Sequence, residues 1–318
     1  MADLQTERDF DVAALSDPLR FCGHLDCNLT ALEALVPVVV RLDGHLVRIS
    51  GEAGPVDTAH GVLARMFDAA QRGSQVTPED VALAASEILT PAPGGPQALP
   101  KTVVATHRGR EIRPRTAGQR AFVEAMERSP LVFAIGPAGT GKTFLAIAMA
   151  VRALRNREVQ RIVLTRPAVE AGEKLGFLPG DLREKVDPYL RPLYDALEEL
   201  MDESVVARAL ERGTIEVAPL AYMRGRTLSD AYIILDEAQN ATREQLKMFL
   251  TRIGRNARMV VAGDVTQIDL PPNVRPGLLD APGLFGHIDE IGIVELDETD
   301  VVRNPLVAKI VAAYAKAR

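Results

Sequence analysis

The sequence predicts an α/β protein, with a mostly parallel sheet between helices preceded by a smaller α+β module. Three observations carry that reading. Past residue 130, short β-branched runs without polar alternation recur between helical patterns, as expected of strands covered on both faces. The stretch "TPAPGGPQALP", 90–100, crowds proline and glycine together and breaks all apolar periodicity, which marks a linker. Before it stand only a few short helical and strand patterns. At 318 residues and 47% hydrophobic content, the chain is long enough for one large or two ordinary domains with buried cores. The division is a small α+β domain over 1–90, a Pro/Gly-rich and then basic linker over 91–116, and the main domain over 117–318.

In the first region "NLTALEALV" has helical spacing, and "VVVRLDGHLVRIS" reads as two strands about the Asp43-Gly44 turn. From Val56 to Gln71 apolar residues recur at three-and-four intervals. "GEAG", Gly51 to Gly54, satisfies the GXXG pattern of KH-type RNA-binding domains, but it follows a strand, whereas the KH loop joins two helices. It is read as a strand-to-helix turn, and a KH-like module remains open. After the linker come strands "LVFAI" (131–135), "RIVLT" (161–165), "TIEVA" (214–218), "AYIILD" (231–236), "ARMVVAG" (257–263) and "GIVEL" (292–296). Helices are expected from Lys142 to about Leu154, from Thr242 to Thr251 and from Pro305 to Ala317.

Composition excludes several classes. No window approaches the roughly 18 to 20 apolar residues of a membrane helix, and "MADLQTERDF" is acidic and polar, unlike a signal peptide, so a cytoplasmic location is expected with no membrane partner. Cys22 and Cys27 flank His24, a spacing that offers at most three metal ligands and is read as reduced structural thiols. Net charge is −6, so the whole-molecule field does not advertise a nucleic-acid binder. Locally, Lys101, Arg108, Arg110, Arg113, Arg115 and Arg120 are opposed only by Glu111, which suits either a solvated basic linker or a phosphate-backbone contact.

The chemistry concentrates in "AIGPAGTGKTFLA". Gly136-Pro137-Ala138-Gly139-Thr140-Gly141-Lys142-Thr143 fits the Walker A pattern, with an apolar strand before it and a helix after. Glycines let backbone N–H groups turn around phosphate oxygens, and the helix N-terminus adds partial positive charge. Lys142 would reach the β- and γ-phosphates, and the Thr143 hydroxyl would hold Mg²⁺. "YIILDEAQN" carries Asp236 to a strand's C-terminal end, where it can join the Mg²⁺ shell, with Glu237 beside it as base for the attacking water. "VVAGDVTQIDLP" places Asp264 and Gln267 just past another strand, so Gln267 can sense the γ-phosphate or the water from the same crevice. Gln119 is a candidate for the adenine edge, although it suits guanine as well.

These motifs, with "LTRPAVEAGEKLGFLPGDLREKVDPYLRPLYDAL" (Leu164 to Leu197), "YMRGRTL", "MFLTRIG" and "GDVTQIDLP", resemble the PhoH-like ATPases, close to the branch called PhoL or YbeZ. The resemblance runs from about Arg115 to the C-terminus, and no PIN-type nuclease domain follows. It implies ATP hydrolysis on a RecA-like core similar to superfamily 1 helicases, ring-shaped homo-oligomers such as hexamers, RNA-linked activity, and association with a YbeY-type endoribonuclease. In "DVVRNPLV", Asn304 stands where the family leads one to expect histidine.

About 218 residues follow the linker, enough for one lobe where a superfamily 1 helicase uses two, so the missing face is expected from a neighbouring subunit. An arginine supplied in trans would then stabilise the transferring phosphoryl group. Arg303 is ranked first, with Arg275 and Arg252 behind it. Arg166, Arg224 and Arg226 are read as RNA-backbone contacts. A nucleotide-gated adaptor that activates a nuclease without unwinding RNA is the alternative to an RNA-remodelling ATPase. A kinase is disfavoured, because "DEAQ" followed by "GDVTQ" suits water attack.

Overall fold

The computed structural model describes residues 6–89, 102–167 and 182–302. Contacts divide the chain into two compact units, 1–101 and 102–318.

In the first unit β1 (Thr6–Asp11), β3 (Leu46–Gly51) and β2 (Val38–Asp43) form an antiparallel sheet in the order β1-β3-β2. The strands alternate: Val38, Val40, Val47 and Ile49 are buried, whereas Val39, Arg41 and Arg48 face out. Helices α1 (Leu19–Cys22), α2 (Cys27–Leu35), α3 (Ala53–Gln71) and α4 (Pro78–Leu89) supply the rest of the core, with Phe21, Leu32, Val62, Leu63 and Met66 fully buried. Gly51 closes β3 and Glu52 caps α3, so "GEAG" is the strand-to-helix turn that its flanks suggest. The turn that joins two helices lies elsewhere, at Gly23 to Asp26 between α1 and α2, with Asp26 at φ +55° where a GXXG loop would carry its second glycine. Cys22 is buried inside this unit, and burial, followed by the charge of Asp26, pushes its thiol up to about 11.

In the second unit residues 102–116 do not behave as a linker. β4 (Val104–Ala105) and β5 (Glu111–Ile112) pair as a small hairpin, and Val103, Val104 and Ile112 are buried in the main core. Arg108 and Arg110 lie between the two strands of that hairpin, and Arg113 just after it is buried, so the basic residues decorate a folded element. Two-residue strands are too short to leave a periodic pattern, which is why charge dominated the reading.

The main sheet is six-stranded and wholly parallel, in the order β11-β6-β10-β9-β7-β8. Its strands are β6 (Leu131–Ile135), β7 (Arg161–Arg166), β8 (Ile215–Pro219), β9 (Ala231–Leu235), β10 (Arg258–Gly263) and β11 (Ile291–Glu295). Both faces are apolar, as unbroken β-branched runs require. Along β6, Val132 and Ala134 enter one core while Phe133 and Ile135 enter the other. The first core is covered by α5 (Ala117–Arg128), α6 (Lys142–Arg155), α7 (Leu182–Leu200) and α8 (Glu203–Glu211); the second by α9 (Arg243–Leu250) and α10 (Ala281–Phe285). Thr242 opens α9 with a capping box closed by Gln245, which is why a helix starts there. The helix expected over Pro305 to Ala317 lies outside the described residues, as does much of the linker around 90–101. Among the described residues no helix is long and apolar enough to cross a membrane.

Candidate functional site

The C-terminal ends of β6, β7, β9 and β10 converge on one edge of the sheet, and the loop Gly136 to Gly141 rises there between β6 and α6. Gly136 is required by crowding: a Cβ would strike the Leu296 carbonyl that follows β11. Gly141 is required by conformation as well, since it caps α6 at φ +80° with the Gln119 amide 3.1 Å from where a Cβ would sit. Both glycines thus answer to this fold, beyond matching a pattern.

The loop is held from several sides. Gln119 Nε2 donates to the Thr140 carbonyl at 2.9 Å while its Oε1 accepts from Arg115 N–H at 2.8 Å. Gln119 is buried and each end of its amide makes one bond to the chain, so it braces the loop while lining the cleft beside it. Val302 N–H donates to the Gly139 carbonyl at 3.1 Å. Asp300, also buried, accepts from Thr116 Oγ1 at 2.5 Å and from Gly118 N–H at 3.0 Å, tying the segment after β11 to the start of α5. Ala138 N–H donates to Asp264 Oδ2 at 2.8 Å. Burial works against ionisation of Asp264, but hydrogen bonds from Thr266 and Ala138 and the charge of Lys142 prevail and hold its carboxyl below the usual range.

Lys142 folds over the loop, its Nζ donating to the Gly136 and Pro137 carbonyls at 2.6 and 2.7 Å and to Thr140 Oγ1 at 3.2 Å. Burial lowers its pKa, against the pull of Asp264, Asp236 and Glu237. Thr143 Oγ1 donates to Asp236 Oδ1 at 2.6 Å, so the two oxygens expected at a metal already meet. Glu237 follows at φ +54°, a left-handed conformation that costs a non-glycine residue about 1 kcal/mol and turns its half-exposed carboxylate into the cleft.

Gln239 is the residue that sequence reasoning passed over. Fully buried, it donates to Glu237 Oε2 at 2.6 Å and to the Gln267 carbonyl at 3.1 Å, and its Oε1 accepts from Asp264 N–H at 2.9 Å. It therefore joins the acid pair to the loop after β10. Its place two residues past Glu237 in "DEAQN" was the available signal. Gln267 lies beside it, with Nε2 donating to Asp264 Oδ2 at 2.9 Å.

Ala138, Gly139, Gly141, Lys142, Thr143, Asp236, Glu237, Asp264 and Gln267 thus line one cleft of about 250 Å³. A second, of about 320 Å³, adjoins it between Gln119, Phe144 and the β4–β5 hairpin. The donor set suits a triphosphate with a hard cation: backbone amides around left-handed glycines, one ammonium, and a hydroxyl paired with a carboxylate.

The arginines are placed less as expected. Arg166, expected at a nucleic-acid backbone, is paired inside the chain, with Nε donating to Asp236 Oδ2 at 2.7 Å and Nη1 to the Tyr189 carbonyl at 2.9 Å. Arg226 is held by Glu216 in a two-pronged pair at 2.6 and 2.7 Å, which holds the Glu216 carboxyl below its ordinary range and raises the guanidinium's pKa. Arg224 is exposed, next to exposed Tyr222. Arg252 donates to the Met248 and Arg226 carbonyls, and Arg275 to Asp280. Arg303 and Asn304 lie outside the described residues.

A parallel sheet whose glycine-rich loop, lysine and strand-end acids enclose such a cleft defines a nucleotide-binding protein of the P-loop class. Within it the family is also clear, since the model of the PhoH-like protein family matches residues 111–315 and the chain belongs to that family. It is 49% identical to the PhoH-like protein of Mycobacterium tuberculosis over 315 residues, 99% of this chain and 89% of that one. It is 48% identical to the PhoH-like protein of Bacillus subtilis over 301 residues, 94% of both chains. With Protein PhoH of Escherichia coli K12 the identity is 47% over 206 residues, 64% of this chain and 58% of that one.

Proposed function

We propose that the chain is a magnesium-dependent ATP hydrolase that couples hydrolysis to RNA remodelling or unwinding, of the PhoL or YbeZ type within its family. One observation carries the reading. Lys142, the Thr143–Asp236 pair, Glu237 and the Gln239–Gln267 link surround a single cleft at the strand ends.

In this reading the loop amides and Lys142 bind the β- and γ-phosphates, exchanging the Gly136 and Pro137 carbonyls for phosphate oxygens. Thr143 and Asp236 hold magnesium, which when bound neutralises charge on the phosphates. Glu237, fixed by the Gln239 amide, orients water and accepts its proton. Gln267, already in the Gln239–Asp264 network, reports whether the γ-phosphate is present. The base takes the adjoining cleft beside Gln119. A second copy of the chain in a ring such as a hexamer completes the open side with an arginine, Arg303 being the first candidate.

Turnover of ATP by the purified chain, with and without RNA, tests the proposal. Lys142→Ala should abolish nucleotide binding, whereas Glu237→Gln should bind nucleotide and fail to hydrolyse it. Binding and turnover untouched by both substitutions would refute the assignment of the cleft.

A second reading is favoured by the internal pairing of Arg166 and Arg226, which leaves Arg224 as the exposed arginine of the three. In it the protein is a nucleotide-gated adaptor that presents or activates an endoribonuclease of the YbeY type in the cytoplasm. ATP-dependent displacement of a labelled RNA strand by the chain alone decides for the first reading. RNA-independent hydrolysis with no displacement decides for the second.

A further inference from the structure

Arg166 spends its guanidinium on three groups inside the second unit. Nε and Nη2 both donate to Asp236 Oδ2, Nη1 donates to the Tyr189 carbonyl on α7, and Nη2 stands 3.8 Å from Glu237 Oε1. The side chain is 14% exposed and that of Asp236 only 4%. The other Asp236 oxygen takes the Thr143 hydroxyl. The two groups that suit a hard dication are therefore satisfied by an arginine and by one another. A carboxylate this buried requires a counter-charge, and an arginine does not give up its proton to relieve the pair.

We infer that Arg166 is the counter-ion that stands in for magnesium at Asp236 while no metal is there, and that the metal must compete with it. The inference rests on the cleft being the magnesium–nucleotide site. Arg166 is thus a positioning residue. It occupies Asp236 Oδ2 while Oδ1 takes the Thr143 hydroxyl, and it sets how much magnesium the site demands. Because the same guanidinium holds the Tyr189 carbonyl, its displacement from Asp236 loosens a tie to α7, so the arrival of the metal is felt at that helix. Two cations close to one carboxylate repel each other, which fixes the sign: removing Arg166 strengthens the site's hold on magnesium.

The test uses the full chain and a fluorescent, non-hydrolysable ATP analogue titrated with magnesium. In Arg166→Gln the free magnesium needed for half of its effect on analogue binding should fall about tenfold, the scale of one lost charge-assisted pair. Arg166→Lys, which keeps the charge without the fork, should fall in between, and it carries the test if the Gln variant does not fold. Hydrogen exchange over 188–200 should quicken in the wild type when magnesium and analogue are added, and should be fast from the start in Arg166→Gln. An unchanged or raised magnesium requirement, with RNA affinity lowered instead, would make Arg166 an RNA ligand and overturn the inference alone. A wild type that binds no analogue at any magnesium concentration overturns the nucleotide reading and this inference together.

Discussion

Replacing Gln239 with leucine removes an amide and little volume. Three bonds go with it: one to the Glu237 carboxylate at 2.6 Å, one to the Gln267 carbonyl at 3.1 Å and one from Asp264 N–H at 2.9 Å. Gln239 is buried, so the Asp264 N–H loses its acceptor with no water to replace it, whereas the half-exposed Glu237 carboxylate turns to solvent. A charge-assisted bond contributes roughly 1.5–3 kcal/mol, and a buried N–H left unmatched costs about 1–3 kcal/mol. A loss of about 3 kcal/mol is expected once the gain from burying leucine is set against those terms, which for a domain of this size lowers Tm by about 6–12 °C.

The catalytic effect should exceed the structural one in specificity. Glu237 would keep its strained backbone but lose the bond that fixes its carboxylate, and misplacement of a catalytic group by about 1 Å costs up to about 100-fold in rate. Lys142 and the loop carbonyls it touches do not contact Gln239, so nucleotide affinity should stay within about threefold, under about 0.7 kcal/mol. Steady-state ATP turnover and equilibrium binding of a fluorescent nucleotide, measured on the same preparation, separate the two. A Gln239→Leu chain with wild-type kcat would show that Glu237 needs no such support. A chain that loses binding as much as turnover would show that the amide acts on the phosphate loop.

Three further outcomes follow from the same contacts. Gly141→Ala forces a Cβ into a φ +80° position 3.1 Å from the Gln119 amide, so it should cost about 1–3 kcal/mol of stability and weaken nucleotide binding, read by thermal melting and fluorescence titration. Asp300→Ala leaves Thr116 Oγ1 and Gly118 N–H without their acceptor and should lower stability by about 1–2 kcal/mol, with faster hydrogen exchange at the start of α5. Glu216→Gln removes a pair whose side chains are about a third exposed, so about 1 kcal/mol is expected at neutral pH. Because the folded pKa of Glu216 is depressed, that contribution is present above the unfolded value and disappears as pH falls through the folded one. The melting difference between wild type and variant should therefore close in acid and stay open at pH 7.

Legibility followed the range of the forces. The loop from Gly136 to Thr143 was readable because its chemistry is local: backbone turns, a helix start and a lysine within eight residues. Asp236 and Glu237 were readable because an apolar run ends on them, and a parallel strand delivers whatever follows it to the sheet's edge. Helix α4 could have been found from the reciprocal bonds of Thr77 and Asp80, a cap signature that stands before its apolar run. The grip of Asp300 on Thr116 spans 184 residues, and that of Arg166 on Asp236 spans 70. No periodicity records such pairings, since they depend on which strand lies beside which.

The same distinction explains why the arginines were misplaced. A cation near a strand end reads as a phosphate ligand when only its own segment is visible, but the parallel order puts β7 directly beside β9 and β8 on the other side. Arg166 thereby lies within reach of Asp236, and Arg226 finds Glu216 ten residues back across the β8 edge. In each case a nearby carboxylate offers a partner that needs no ligand, and pairing within the chain is less costly than leaving either charge half-buried alone. A segment's charge is thus a weak guide to its ligand until the acids on neighbouring strands are known. By contrast, the glycine loop keeps its meaning, because its donors are backbone amides that side-chain charges alone do not replace.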